Sequence, residues 1–422
     1  MRTSMVIIGN GLASAECAKA TRESGYDGDL TIVSDSNLPQ FNPMLVTYFA
    51  TDKIEYDDLF PYGGADFYEK YNVVCRFGSP VTSLDAMNRI VKTADGQAIS
   101  YDKCVIASGA SPVLLKAFTN VKDAVLNLRT VDDAVKFKKM LESDRKRALV
   151  VGASMIGIKA VEALANAGFD VTLADFAKSI FPLAAHVNCA EMIQSILAEK
   201  GVKLLFGSPV ERVSMAGEGF EACFSGNPGT FVFDHIVVCA GVSPNISFVD
   251  PLQIKTDKGI LVNEYMETSA EGVYAAGDVC QAPGAGGETQ VLGLVSNARM
   301  QGRTAGQNMA GVRTRYPGTV VHNITHFFDN DFAGAGDVND GDKIYEEADK
   351  ANSRYIRLVF KDDKLTGVNL LNYPEISGIL KYRLTKGLIT KEGLHEFAGE
   401  SLAMNKLYDK FPGIEKAFTE KR

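Results

Sequence analysis

The sequence predicts an α/β fold in which two similar strand–helix–strand units precede a C-terminal region of different character. Two apolar strands, at residues 5–8 and 148–151, each run into a glycine-rich turn and then into a helical stretch. In both units a second apolar strand follows the helix and leads to an aspartate, Asp35 or Asp175. Beyond Pro317 the pattern changes to longer strands followed by helices, which predicts a separate domain of about 100 residues.

The composition is that of a folded globular protein. The chain has 422 residues, of which 46% are hydrophobic and 23% are charged. At about 100–200 residues per domain, this length predicts two to four domains. The 44 basic and 52 acidic residues give a net charge of -8. An acidic surface repels phosphate backbones, so we expect no nucleic-acid partner.

The cysteines predict a reduced, cytoplasmic protein. None of the seven is spaced as CxxC or CxxxxC, which argues against a disulfide framework, a structural zinc, a dithiol centre and an iron–sulfur cluster held by this chain alone. The apolar run at residues 5–8 is too short for a signal peptide or a membrane span. The cysteines are Cys17, Cys75, Cys104, Cys189, Cys223, Cys239 and Cys280.

The two glycine turns have the pattern of dinucleotide-binding units. In such a turn the first glycine allows a tight bend, the second lets the backbone approach a pyrophosphate, and the third lets helix and strand pack closely. The following helix offers its N-terminal N–H groups to the phosphates, and the aspartate at the end of the second strand accepts hydrogen bonds from ribose. Ser14 and Ser154 each replace one glycine and are small enough for the turn to close. The motif positions are Gly9, Gly11 and Ser14 in the first unit and Gly152, Ser154 and Gly157 in the second.

Shorter segments complete the pattern. Strand-like runs occur at residues 73–77, 90–93 and 104–107, and the strand-to-turn stretch at 104–112 is repeated in character at 236–245. A further strand leads to Gly277 and Asp278, residues 284–293 resemble a loop, and residues 297–308 predict a helix. The C-terminal region predicts strands at 320–328, 354–360 and 367–371.

In this order, these residues resemble the two-dinucleotide-domain flavoproteins of the pyridine nucleotide–disulfide oxidoreductase family. The resemblance implies an FAD domain (residues 1–115 and 247–318), an inserted NAD domain (116–246) and a C-terminal α+β interface domain (319–422). It also implies hydride transfer between NAD(H) and FAD without a catalytic acid or base. The FAD contacts that it implies are Gly9, Gly11, Leu12, Ala13, Ser14, Asp35, Asn42, Pro43, Val81, Ala107, Ser108, Gly109, Gly277, Asp278, Asn297 and Ala298.

The resemblance places NAD(H) on the second unit. The family usually has an aromatic residue at the position of Met155 and a glutamate at that of Lys159, so these two are our candidates for positioning the nicotinamide. An exposed helix lysine is the alternative interpretation of Lys159. The implied NAD contacts are Gly152, Ser154, Met155, Ile156, Gly157, Asp175, Ala240 and Gly241.

Departures from the family pattern narrow the expected function. Disulfide reductases of the family carry a CxxxxC or CxxC pair, which this chain lacks. The peroxidase and oxidase branch has one redox cysteine shortly after the second FAD strand. At that place this chain has residues 41–47, which contain no cysteine. Electrons on the flavin would therefore have no protein thiol to reach. The remaining resemblance is to NADH-linked flavin subunits of tungsten aldehyde oxidoreductase and phenylglyoxylate dehydrogenase complexes and to rubredoxin and ferredoxin reductases.

The expected function is electron transfer between NAD(H) and an iron–sulfur or other one-electron protein partner, as the flavin subunit of a larger complex. The alternatives are a stand-alone NADH oxidase or rubredoxin/ferredoxin reductase and, outside enzymes, a flavin-binding redox sensor or scaffold. A homo-oligomer and a hetero-oligomer are both compatible with the sequence. The last 42 residues carry nine basic and six acidic groups, which predicts a solvated helical face or a docking surface for an acidic partner.

We predict no metal site. His322 and His326 are four residues apart, a spacing that suits a metal pair on a helix. Residues 320–328 instead have the pattern of a strand, on which residues four apart are too distant for one ion.

Overall fold

The computed structural model describes residues 4–284, 288–362 and 364–386. Its strands, in chain order, are β1 (Ser4–Ile8), β2 (Asp29–Val33), β3 (Val74–Arg76), β4 (Val81–Asp85), β5 (Ile90–Thr93), β6 (Ala98–Ser100), β7 (Lys103–Ile106), β8 (Ala110–Pro112), β9 (Arg147–Val151), β10 (Asp170–Asp175), β11 (Lys203–Phe206), β12 (Val210–Ala216), β13 (Gly219–Phe224), β14 (Asn227–Phe233), β15 (His235–Val238), β16 (Val242–Pro244), β17 (Ile260–Leu261), β18 (Val273–Ala275), β19 (Cys280–Pro283), β20 (Thr289–Gln290), β21 (His322–Phe327), β22 (Asn330–Gly336), β23 (Lys343–Asp349), β24 (Arg354–Lys361) and β25 (Lys364–Leu371).

The helices connect these strands, and short 3-10 turns lie at Pro43–Leu45, Tyr56–Leu59 and Lys116–Val121. The α-helices are α1 (Leu12–Glu23), α2 (Val46–Ala50), α3 (Asp66–Lys70), α4 (Val131–Leu141), α5 (Met155–Asn166), α6 (Val187–Glu199), α7 (Val295–Met309) and α8 (Pro374–Lys386). In the described part of the chain, none of these helices has the length and apolar character that a bilayer crossing requires.

The chain divides into two compact units. Unit 1 comprises Met1–Val113, Arg129–Ala134 and Val242–Thr319, and unit 2 comprises Leu114–Leu128, Val135–Gly241 and Val320–Arg422. Each of the two units contains one of the two predicted βαβ units.

In unit 1, the predicted strand at residues 5–8 lies in the middle of a parallel sheet. The strand order is β18-β7-β1-β2-β3. Residues 5–8 are almost fully buried, because strands of parallel sheets are covered on both faces and their sequences are therefore continuously apolar. This order is typical of a Rossmann-like sheet, in which the turn after the central strand receives the nucleotide phosphates.

Unit 2 contains a second parallel sheet and two antiparallel ones. Its parallel sheet has the order β11-β10-β9-β15, and a three-stranded antiparallel sheet, β12-β13-β14, was not predicted. The C-terminal region forms the antiparallel sheet β21-β22-β25-β24-β23, against which α8 packs through Leu380 and Leu384. The predicted change to an α+β region is therefore confirmed. Most of the basic C-terminal segment lies outside the described residues.

Asp234, between β14 and β15, is a buried carboxylate in unit 2 that pairs with two partly exposed arginines. Its carboxylate accepts hydrogen bonds from Arg147 at Nη2 (2.8 Å) and Nε (3.0 Å) and from Arg145 at Nη2 (3.0 Å) and Nε (3.2 Å). The bonds from Arg147, followed by those from Arg145, hold the pKa of Asp234 well below its usual value. A depressed pKa means that the carboxylate stabilises the fold at neutral pH and loses this contribution as pH falls below about 4.

We expect Asp234→Asn to lower the free energy of unfolding by about 2 kcal/mol at pH 7. Removing one partner of a fully buried pair costs about 3–5 kcal/mol, and both guanidinium groups here reach solvent, so the loss is smaller. Urea unfolding should show a constant difference from wild type between pH 5 and 8 that shrinks below pH 4. Glu218→Gln, which removes a 90% exposed partner of Arg145, is the control and should change little. A pH-independent loss would contradict the assigned role of the charge.

Candidate functional site

The glycine turn of unit 1 is held against the neighbouring strand. Gly9 has φ +104°, and a Cβ there would lie 2.2 Å from the Ala107 carbonyl oxygen, so no other residue fits. The Gly9 N–H donates to the Val33 carbonyl at 2.7 Å, which brings the turn to the end of β2. Gly9 is therefore required by the fold itself, whatever binds beside it.

Gly11 is different, because the space beside it is open. Its φ is -95°, and among the described residues a Cβ there would have no atom within 4 Å beyond its own chain neighbours. Gly11 caps α1 without any side-chain hydrogen bond, and the hydroxyl of the fully buried Ser14 has no hydrogen-bond partner in the part of the chain that the structure describes. The first-turn N–H groups of a helix lack partners within the helix. This end of α1 thus presents unsatisfied donors to an open space, as a pyrophosphate requires.

Helix α7 packs directly on α1 and completes this region. A Cβ at Gly302 would lie 2.2 Å from the Ala13 carbonyl oxygen, and one at Gly306 would lie 2.3 Å from that of Cys17. Only glycine allows the two helices to approach this closely. The contact brings the first turn of α7, with the predicted Asn297 and Ala298, beside α1; a Cβ at Gly277 would lie 3.0 Å from Ala13 Cβ and 3.7 Å from Ala298 Cβ.

Two residues that the sequence reasoning missed support the Gly277–Asp278 turn. Arg129 donates from Nη2 to Asp278 Oδ2 at 2.7 Å, and both side chains are largely buried. Gln301, on α7, accepts a hydrogen bond from the Gly277 N–H at 2.8 Å. Arg129 is far from Asp278 in sequence, so no motif could have linked them.

Four further predicted FAD residues, Asp35, Asn42, Pro43 and Val81, lie in the chain that follows β2. Asp35 is exposed just beyond β2, and the Ser79 N–H donates to Ser34 at 2.8 Å, which brings the segment leading to Val81 alongside. Asn42 caps the 3-10 turn that begins at Pro43, accepting from the Met44 N–H at 3.0 Å.

The turn at Ser108 and Gly109, after β7, is anchored within unit 1. Ser108 donates from Oγ to the Asn245 carbonyl at 2.8 Å, and Asn245 returns a hydrogen bond from Nδ2 to the Ser108 carbonyl at 2.9 Å. Gly109 has φ +67° and accepts a third bond, from the Asn245 N–H at 3.0 Å.

The glycine turn of unit 2 follows the same design with one change. Gly152 has φ +111°, and a Cβ there would lie 2.3 Å from the Cys239 carbonyl oxygen and 2.9 Å from the Ala240 nitrogen. A Cβ at Gly157 would lie 1.9 Å from the Gly152 carbonyl oxygen, so this third glycine is needed for close packing of helix and strand. Ser154 caps α5, accepting from the Gly157 N–H at 3.2 Å. The serine therefore adds a cap that Gly11 lacks.

Asp175 is the last residue of β10 and is bound to the turn. Its carboxylate accepts from the Ala153 N–H at 2.6 Å and from the Ala177 N–H at 2.8 Å. Ala240 and Gly241 follow β15 beside the turn, and Met155 and Ile156 begin α5 with partly exposed side chains. The structure thus brings the predicted NAD residues together, apart from Lys159.

Lys159 lies about one turn into α5. It forms an ion pair with Glu162 at 3.3 Å, and its side chain is only 11% exposed. The alternative interpretation as an exposed helix lysine is therefore wrong. A contact with nicotinamide stays a prediction.

Cys17 and Cys280, the cysteines near the first site, are buried thiols. Burial raises the pKa of Cys280 to about 12 and that of Cys17 to about 12. Cys280 donates from Sγ to Gln301 Oε1 at 3.2 Å. The reactive form is the thiolate, so neither thiol is poised for redox chemistry at neutral pH.

The two histidines of β21 have separate neighbours. His322 Nδ1 lies 3.0 Å from the Val320 carbonyl oxygen and His326 Nδ1 lies 3.0 Å from Asp331 Oδ1. Within the residues that the structure describes, no group of three or more His, Cys, Asp or Glu side chains could hold a metal ion.

Comparison with known proteins agrees with this geometry. The family model described as pyridine nucleotide-disulphide oxidoreductase matches residues 3–302. The NADH-dependent phenylglyoxylate dehydrogenase subunit epsilon of Aromatoleum evansii is 31% identical over 376 residues, which cover 87% of each chain. The NADH-rubredoxin oxidoreductase of Clostridium acetobutylicum is 27% identical over 385 residues, 90% of this chain and 93% of the other.

A solved structure of similar fold is the covalent putidaredoxin reductase–putidaredoxin complex, with a TM-score of 0.86, 22% identity, and coverage of 96% of this chain and 99% of that one. The predicted α/β fold with Rossmann-like units is thereby confirmed. The family match also confirms the prediction of an oxidoreductase with FAD and NAD(H) as cofactors. The chain belongs to the pyridine nucleotide-disulphide oxidoreductase family.

Proposed function

We propose that this protein passes electrons between NAD(H) and an iron–sulfur protein partner in the cytoplasm, as the flavin subunit of a larger redox complex. The observation that carries the proposal is the pair of glycine turns, each at the N-terminus of a helix, in a chain whose cysteines near the first turn are buried and protonated. Relatives named as a phenylglyoxylate dehydrogenase subunit and a rubredoxin oxidoreductase support the same kind of partner.

We assign the FAD domain to residues 1–115 and 247–318, the NAD domain to 116–246 and the interface domain to 319–422. Bound FAD would supply hydride exchange with NAD(H) and one-electron exchange with the partner. The N-terminus of α1 and the Ser14 hydroxyl would hold its pyrophosphate. Arg129 offsets the charge of Asp278, which would otherwise repel the nearby phosphates. With its charge offset in this way, the Asp278 carboxylate can bind the ribityl chain of FAD close to the phosphates.

The second turn binds NAD(H). The N-terminus of α5 receives its pyrophosphate, and the Asp175 carboxylate, held by two backbone N–H groups, accepts the ribose hydroxyls. Met155, at the start of α5, and Lys159, paired with Glu162, orient the nicotinamide. The protein's contribution to hydride transfer is thus position and charge, and no side chain is required as an acid or base.

The protein purified with FAD should be bleached by NADH under anaerobic conditions, and viologen reduction should exceed oxygen reduction. Absorbance at the flavin band measures the bleaching, and the rate of NADH oxidation with each acceptor compares viologen with oxygen. Faster turnover with oxygen than with viologen would favour a stand-alone NADH oxidase. A flavin that NADH leaves oxidised would favour a sensor or scaffold and overturn the proposal.

Alkylation of accessible cysteines should leave NADH-to-dye activity within about twofold of the untreated protein, because the thiols near the first site are buried and protonated. Cys17→Ser and Cys280→Ser are the direct tests, and NADH should reduce the flavin without a thiolate charge-transfer band. The thiol-free mechanism is wrong if either variant binds FAD, is reduced by NADH and fails to pass electrons on.

A further inference from the structure

A single strained residue connects the second glycine turn to the C-terminal sheet within unit 2. Phe181, in the loop between β10 and α6, has φ +50°, a conformation that bulky side chains rarely adopt. Its N–H donates to the Ala153 carbonyl at 3.0 Å, inside the glycine turn. Such strain persists only where the surrounding structure enforces it.

The ring of Phe181 is held by the C-terminal sheet. It is 1% exposed, and its centroid lies 4.9 Å from that of Phe332 and 6.4 Å from that of Phe327. Because Asp175 also binds the Ala153 N–H, both backbone groups of Ala153 are bonded to the segment between residues 175 and 181. The position of the turn therefore depends on where this loop lies.

Further along the loop, Asn369 of β25 holds the backbone at two points. Its fully buried side chain accepts from the His186 N–H at 2.9 Å and donates to the Ala184 carbonyl at 3.2 Å. On β22, a Cβ at Gly334 would lie 2.4 Å from the Ala184 carbonyl oxygen, so the loop rests directly on the sheet. Because these contacts fix the loop on the sheet, we expect the loop to shift only when the sheet itself moves.

We propose that the C-terminal sheet positions the NAD(H)-binding turn through this loop, with Asn369 and Gly334 as positioning residues for NAD(H) affinity. The inference rests on the proposed function, because it takes the Gly152–Gly157 turn as the NAD(H) site. The physical basis of the proposal is preorganisation, because a turn that is already held in the binding geometry loses less conformational freedom when the nucleotide binds.

The test is Gly334→Ala, which inserts a methyl group between sheet and loop. Two other glycines of the same region provide matched controls. Gly367→Ala places a Cβ 1.8 Å from the Asp337 carbonyl oxygen, which strains the sheet without touching the loop, and Gly378→Ala on α8 meets no atom of the described residues within 4 Å. Asn369→Leu, which removes both loop hydrogen bonds at similar volume, is the second test variant should Gly334→Ala fail to fold.

We expect Gly334→Ala and Asn369→Leu to weaken NAD+ binding about 10-fold, measured by calorimetry on the FAD-loaded protein. Hydrogen exchange in the 176–186 segment should accelerate, while flavin content and kcat at saturating NADH stay within about twofold. The inference would be wrong, with the proposed function unaffected, if the folded test variants kept native NAD+ affinity. It would also be wrong if Gly367→Ala weakened NAD+ binding as much as they do. A wild-type protein that binds no NAD+ would overturn the proposed function, and this inference with it.

Discussion

Replacing Gly11 with leucine is expected to give a folded protein that has lost FAD. The backbone at Gly11 has φ -95°, which leucine adopts easily, and no described residue other than its chain neighbours has an atom within 4 Å of an added Cβ. The new side chain would occupy the approach to the N-terminus of α1, where we propose that the pyrophosphate contacts backbone N–H groups. We expect the dissociation constant of FAD to rise about 100-fold or more, equivalent to about 2.7 kcal/mol.

The comparison with Gly9 separates a ligand requirement from a folding requirement. Gly9→Val should fail to fold, because its Cβ would lie 2.2 Å from the Ala107 carbonyl oxygen. Gly378→Leu, at an exposed position on α8 with no described atom within 4 Å of its Cβ, is the control and should retain native flavin content. Circular dichroism reports the fold and flavin absorbance reports occupancy. A fully yellow Gly11→Leu protein would show that the pyrophosphate does not lie on this turn.

The native protein should prefer NADH to NADPH by about 100-fold or more in kcat/KM, because the Asp175 carboxylate would face the 2′-phosphate of NADPH. Its two hydrogen bonds to backbone N–H groups keep it at the strand end, so it cannot turn away from the phosphate. Asp175→Asn keeps one acceptor oxygen and removes the charge. The preference should then fall to about 10-fold or less.

Asp170→Asn is the matched control for this prediction. Asp170 lies at the other end of β10, is half exposed and pairs with Lys203 at 2.7 Å. Its replacement should leave the cofactor preference unchanged. Steady-state rates with a dye acceptor give kcat/KM for both nucleotides, and equal values in the native protein would mean that Asp175 does not contact the ribose.

Local pattern was sufficient to predict the two βαβ units. Helix α7 was predicted at 297–308 and runs over Val295–Met309, and β5 has the predicted bounds. Continuous apolar runs and glycine turns are local signals, so they can be seen in one sequence. The antiparallel sheet β12-β13-β14 was missed because its outer strands, β12 and β14, are largely exposed and their composition is mixed.

The features of the candidate sites also fall into those that local sequence predicts and those that depend on the tertiary structure. The sequence by itself determined the glycine turns, their aspartates and the absence of a cysteine pair, since each depends on the identity and spacing of nearby residues. Only the tertiary structure decided that Arg129 neutralises Asp278, that Lys159 pairs with Glu162, and that Phe181 joins the second turn to the C-terminal sheet. The Arg129 and Phe181 contacts join distant parts of the chain, and all three depend on which side chains packing buries together; no motif spacing encodes that.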